Sequence, residues 1–147
     1  QIINISSGMG LVPSPFVGYY SASKFAMEGY TEALRHEVKP FNVQVSLVEP
    51  GFIKTNVWHN VKDAVNRISD YDPWRQRVRE VRQQFEQKAL EPTVVAEVIL
   101  HIIESKSPRL RHTVGRDTAR LFWMRRFLPE AMFEKGVRRA LHLDVKK

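Results

Sequence analysis

Residues 1–24 read QIINISSGMGLVPSPFVGYYSASK, and this stretch decides the architecture. Gln1 to Ile5 is an apolar run of strand length, Ser6 to Gly18 is a loop rich in Ser, Gly and Pro, and a helical pattern starts at Tyr19. Tyr20 and Lys24 are four residues apart, so both side chains lie on one helix face. A cation beside a phenol favours its ionised form, which suits Tyr20 to give or take a proton near neutral pH. Tyr19 is the rival phenol, but it is five residues from Lys24 and off its face. Ser7 stands thirteen residues before Tyr20, at the exit of the first strand. A hydroxyl there can point at the same place as the phenol. The stretch therefore offers two hydroxyls for one carbonyl oxygen, with one cation behind them.

Working outward, the first helix runs to about Lys39 with Phe25, Ala26, Tyr30, Ala33, Leu34 and Val38 as its apolar stripe, and Pro40 stops it. Val43, Val45, Leu47 and Val48 form a second buried strand, ended by Pro50-Gly51. Strand, helix, strand in this order implies a parallel βαβ unit with a right-handed crossover. In doubly wound sheets, ligands sit outside the carboxyl ends of the strands, so Ser7 and the Pro50-Gly51 turn should face one crevice. Thr55 to Leu90 is a polar, aromatic insertion with two expected helices, the second spanning 74–88 with Val78, Val81 and Phe85 on one face. Glu91-Pro92 opens a further helix to about Ser105, with Pro at a first-turn position where its missing N–H does no harm. Leu110 to Val114 reads as a third strand closed by Gly115, and beyond Asp117 two short basic amphipathic helices are separated by Pro129.

At 147 residues, 43% hydrophobic and 27% charged, the composition is that of a globular domain with a modest core. The absence of Cys excludes disulfides, thiolate chemistry and Cys-based zinc sites. The five histidines (36, 59, 101, 112 and 142) show no ligand spacing, so no metal site is expected. The most apolar helix, 94–103, carries Glu97 and His101 and is too short to span a bilayer. Gly8-Met9-Gly10 lacks the third Gly, the turn register and the downstream acid of a dinucleotide fingerprint. The net charge of +7 is local: residues 1–105 hold 11 Lys/Arg against 12 Asp/Glu, and residues 106–147 hold 12 against 4. Gln1–Ile5 reads as a strand already under way, with no initiator Met and no turn before it. The expectation is therefore an upstream half lost, or a truncated gene product.

Ser7, the thirteen-residue interval and Tyr20-Ser21-Ala22-Ser23-Lys24, with Pro50-Gly51-Phe52-Ile53-Lys54-Thr55 downstream, resemble the Ser and Tyr-x-x-x-Lys motif of the short-chain dehydrogenase/reductase family. The interval selects Ser7 over its neighbour Ser6. The resemblance spans nearly the whole chain but only the second half of a usual family member. It is greatest to the retinol and hydroxysteroid branch, through Ala33–Val38 and Val48–Thr55. It implies the second half of a doubly wound parallel (Rossmann-like) α/β sheet, with about three strands, flanking helices and a C-terminal helical extension. The expected organisation is one partial domain: 1–55 a catalytic βαβ unit, 56–90 substrate-loop helices, 91–116 a helix and edge strand, and 117–147 basic C-terminal helices.

The resemblance also implies roles. Ser7, Tyr20 and Lys24 would be catalytic: Tyr20 passes the proton, Ser7 steadies the oxygen, and Lys24 tunes Tyr20 while holding the nicotinamide ribose. Pro50, Gly51, the Ile53 backbone and the Thr55 hydroxyl would hold the carboxamide. The implied cofactor is NAD or NADP, with only its nicotinamide end represented, since the fingerprint and the residue separating the two cofactors would lie upstream. The implied reaction is hydride transfer between nicotinamide and a carbonyl or carbinol carbon of a fairly apolar alcohol or ketone, with no metal. Asn4 lies mid-strand, and so is not the Asn that often completes the set from an upstream helix.

Two rival readings stay open. The chain could be a truncated, catalytically silent remnant stabilised by oligomerisation, because the Gln1–Ile5 strand would expose an apolar edge that invites pairing. It could instead be a peripheral membrane module acting through 117–147, with arginines toward anionic lipid. A homo-oligomer without nucleic acid is expected, in the cytoplasm, with membrane-surface contact by the C-terminal helices as the variant.

Overall fold

A computed structural model describes residues 1–61 and 65–144; the side chains of Trp58 and His59 and the last three residues of the basic segment 117–147 lie outside the described set. The elements follow in the order β1 (Ile2–Ile5), α1 (Gly18–Val38), β2 (Val45–Pro50), α2 (Asp72–Gln87), α3 (Pro92–Glu104), β3 (Arg111–Val114), α4 (Arg116–Phe127) and α5 (Glu130–Ala140). The three strands form one parallel sheet in the order β1-β2-β3, with Ile2 opposite Val45 and Leu47 opposite Arg111. This is the expected doubly wound α/β architecture, with helices on both faces. Between Thr55 and Leu90 one α-helix forms among the described residues. The stretch expected to hold the other is marked by single 3-10 turns at Asn56–Asn60 and Ser69–Tyr71. Val57, Val61, Val65 and Ile68 recur there at helical spacing, but all four are exposed, and a short helix without a packed face is marginal.

The central strand β2 is buried at every position, as a two-sided parallel strand must be. Alternation sends Val48 toward α3, where it packs with Ile102 and Val114, and Ile3, Val94, Val95, Val98 and Ile99 close the cluster. At ~25 cal/mol per Å² of apolar surface removed from water, this cluster is the principal driving force for α3 docking.

The other face is different in kind. On α1 most of the expected apolar stripe does not point inward: Phe25, Ala26, Tyr30 and Ala33 are exposed, while Leu34 and Val38 are half-buried. The inward face instead carries Ser21, Lys24, Glu28, Thr31 and Arg35, spaced three and four apart. Each meets a polar partner. Ser21 Oγ accepts from Ser14 N at 3.3 Å, and Lys24 Nζ donates to the Ile5 carbonyl at 2.9 Å. Glu28 pairs with Arg111, Thr31 Oγ1 accepts from Asn4 Nδ2 at 2.9 Å, and Arg35 donates to the Val45 and Pro108 carbonyls. Buried polar groups are tolerated only when matched, and such matches fix one register, whereas apolar contacts allow sliding. Helix α1 is thus keyed to the sheet, and the key aims its first turn at the end of β1.

Candidate active site

The carboxyl end of β1 receives Lys24, with Tyr20 beside it and Ser7 two residues further along the chain. Lys24 Nζ sits on the Ile5 carbonyl and lies 5.8 Å from the centre of the Tyr20 ring. Tyr19 is 98% exposed and Tyr20 38%, so the helix turns Tyr20 toward the protein and its rival away. Two residues beyond Ile5, Ser7 caps a short 3-10 turn, Gly8–Gly10, with Oγ accepting from Met9 N at 3.2 Å. The cap uses an acceptor lone pair, and the hydroxyl proton remains free to be donated. Ser6 is buried, and its Oγ has no partner among the described residues. It faces the helix side with Glu28: both Ser6 Oγ and Glu28 Oε1 lie within 3.2 Å of where a Cβ on Gly10 would stand.

At the end of β2, Gly51 N donates to the Val114 carbonyl at 3.0 Å. The chain then bridges to Leu90: Leu90 N donates to the Phe52 carbonyl at 3.0 Å and Lys54 N to the Leu90 carbonyl at 2.9 Å. Such a bridge uses the groups on either side of Ile53 and turns the Ile53 N–H and C=O the other way. Neither has a hydrogen-bond partner among the described residues. The segment is held rigid by Phe52, stacked on Phe85 of α2 with ring centres 5.1 Å apart, and by Lys54 paired with Glu91. Thr55 is exposed beside it. A free amide N–H, a free carbonyl and a hydroxyl on one short segment fit an uncharged carboxamide, which needs one acceptor and one or two donors. Pro50 is the last residue of β2 and is buried.

Sequence reasoning missed Thr118. This residue, 7% exposed on α4, stands where three strand ends meet: its side chain lies 2.8 Å from a Cβ built on Gly8, against one on Gly51, and 3.7 Å from one on Gly115. A glycine follows each strand within three residues, and that recurrence was the available signal. One threonine fills the space the glycines leave and ties α4 to the carboxyl edge that holds Ser7 and the Pro50-Gly51 turn. Gly51→Ala would place a methyl on Thr118 Oγ1, so we expect a loss of about 1–3 kcal/mol of stability by overpacking, read from urea unfolding. Gly51→Ala combined with Thr118→Ser, which keeps the hydroxyl, should not restore it; with Thr118→Ala it should recover most of it.

Beneath the site lies a buried charge cluster. Arg111 Nη1 pairs with Glu28 and with Glu49, which is fully buried, and Nη2 pairs with Glu32. Burial pushes the Glu49 carboxyl up to about 7, Arg111 opposes the shift, and the neighbouring Glu28 charge adds to it. The folded protein therefore holds a proton on Glu49 that the unfolded chain releases near the ordinary 4.5. Stability from this group is complete below about 4.5 and falls by about 1.4 kcal/mol per pH unit until about 7. Unfolding free energies from urea titrations should fall with rising pH between about 5 and about 7 more steeply in the native protein than in Glu49→Gln, by up to that slope. Among the described residues no group of three His, Cys, Asp or Glu side chains could hold a metal ion.

Comparison with known proteins follows the same lines. The family model described as short chain dehydrogenase matches residues 1–66. The chain is 36% identical over 141 residues to 3-ketodihydrosphingosine reductase of Bacteroides thetaiotaomicron, covering 94% of this chain and 52% of that protein. It is 30% identical over 149 residues to NADPH-dependent 3-dehydrocapnine reductase of Ornithobacterium rhinotracheale, covering 100% and 51%. A solved short-chain dehydrogenase from Streptomyces avermitilis superposes with a TM-score of 0.68 at 27% identity, over 97% of this chain and 52% of that one. The chain spans about half the length of the relatives it matches.

Proposed function

The chain belongs to the short-chain dehydrogenase family, and on that premise we propose that it carries the nicotinamide end of an NAD(P)-dependent carbonyl reductase. The observation that carries the proposal is Lys24 seated on the Ile5 carbonyl beside the Tyr20 ring, two residues before the capped hydroxyl of Ser7. Bound nicotinamide would supply or accept the hydride at the carbonyl carbon. Tyr20 donates its phenolic proton to the carbonyl oxygen as charge develops there. Ser7 donates a hydrogen bond to the same oxygen while Met9 N steadies its Oγ. Lys24 supplies a positive charge behind the phenol and donors for ribose hydroxyls. The unpaired Ile53 amide and carbonyl, with the Thr55 hydroxyl, hold the carboxamide against the Pro50-Gly51 turn.

Two named relatives reduce a keto or dehydro compound, one of them with NADPH. Reduction with NADPH of a fairly apolar ketone is accordingly the direction proposed here, and 3-ketodihydrosphingosine is the first probe. A homo-oligomer belongs to the same reading, supported by exposed Phe25 and Tyr30 on α1 and by β1, which pairs on one side only among the described residues. Calorimetric titration of the purified chain with NADPH and NADH tests the reading. Saturable binding weakened at least tenfold by Lys24→Met supports it. Binding of neither nucleotide favours the silent remnant.

A further inference from the structure

Helix α4 carries four arginines against one acid and α5 three cations against two, and the reductase chemistry uses none of these cations. On α4, Thr118 and Phe122 turn inward. Arg116, Arg120, Trp123 and Phe127, spaced four, three and four apart, share the outward face. Trp123 is 54% and Phe127 70% exposed, and their rings stack on each other at 5.4 Å and 7°. On α5, Phe133 and Val137 turn inward and Met132, Lys135 and Arg139 outward. None of Arg116, Arg120, Lys135 and Arg139 has an ion-pair partner among the described residues. By contrast, Arg138 pairs with Asp144, and Arg125 covers the Phe133 ring at 5.3 Å. Helix stability does not account for Arg116: a cation in the first turn is opposed by the helix dipole.

We propose that the outward faces of α4 and α5 dock on an anionic phospholipid surface. The faces combine what such a surface recognises. Unpaired cations meet lipid phosphates, and the stacked aromatic pair enters the boundary between headgroups and acyl chains, where Trp is favoured. No described helix is long and apolar enough to cross a membrane, so the contact is lateral. A nucleic acid would find the charges, but no recognition motif accompanies them.

The test is sedimentation of the full chain with phosphatidylcholine vesicles, with and without one-third phosphatidylglycerol. Binding should require phosphatidylglycerol and fall at least tenfold as salt is raised from about 0.1 to 0.5 M. Each Arg→Gln change at 116 or 120 should weaken it about fivefold. Trp123→Ala with Phe127→Ala should weaken it at least tenfold while the circular dichroism is unchanged, because both side chains are exposed. Brominated acyl chains should quench native fluorescence and not that of Trp123→Phe. Equal binding to uncharged vesicles, no binding, or binding insensitive to these four residues would overturn the proposal. So would a preference for duplex DNA, or loss of self-association as the sole effect of the Trp123/Phe127 double variant.

Discussion

Tyr20→Phe is expected to lower single-turnover ketone reduction by about 10²–10⁴, the range for removing a positioned general acid, while NADPH affinity changes little. The substitution deletes one oxygen and leaves the ring, which is what Lys24 Nζ approaches at 5.8 Å. Lys24 keeps its other anchor, the Ile5 carbonyl at 2.9 Å, so the cation stays in place. The loss is therefore one of chemistry and not of fold. Tyr19→Phe, on a side chain that is 98% exposed, is the control and should have no measurable effect. Ser7→Ala should cost about 10²–10³-fold, the range for removing one of two donors to the oxygen. It also removes the cap on Met9 N, worth about 1 kcal/mol of local stability. An equal effect of Tyr19→Phe and Tyr20→Phe would take the proton donor out of this helix altogether.

Arg111→Ala should be the most destabilising single change away from the strand ends, costing about 3–5 kcal/mol in urea unfolding at pH 7. One guanidinium serves three carboxylates, from α1 and from β2. Without it, Glu28 and Glu49 are left in a space that water does not reach, with Glu28 Oε1 and Glu49 Oε2 already lacking partners. The loss should diminish as pH falls below about 7, where the buried Glu49 carboxyl takes its proton, and Arg111→Lys should fall between the two because an ammonium cannot span the same fork. Arg111→Ala combined with Glu49→Gln should recover part of the loss, since the deepest of the stranded charges goes with it. A loss near 1 kcal/mol that is flat with pH would mean that the cluster is solvated and that α1 is held mainly by Thr31, Lys24 and Arg35.

The strands, the long helices and the placing of Lys24 beside Tyr20 at the end of the first strand were legible because each depends on local order. Four-residue spacing puts two side chains on one face, and a strand exit fixes where the next hydroxyl lies. The inward face of α1 was not legible. Its hydropathy points Phe25, Ala26, Tyr30 and Ala33 at the core, yet they are exposed. Glu28, Thr31 and Arg35 go inward instead, because Arg111, Asn4 and the Val45 carbonyl await them. Polarity alone reports the cost of burial and not the partner that removes it, and Glu28 and Arg111 are 83 residues apart. Thr118 was hidden for the same reason. A lone threonine carries no signal until Gly8, Gly51 and Gly115 are seen to surround it. The freedom of the Ile53 amide likewise arises only from the Leu90 bridge.

In the proposed reaction a hydride passes to a carbonyl carbon while Tyr20 protonates its oxygen. The most direct test is mass analysis of the alcohol formed from 3-ketodihydrosphingosine and NADPH deuterated at the transferring C4 position. One deuterium retained in the product with the native protein, and no product above background with Tyr20→Phe, is the predicted result. Unlabelled alcohol, or labelled alcohol formed equally well by both proteins, would contradict it.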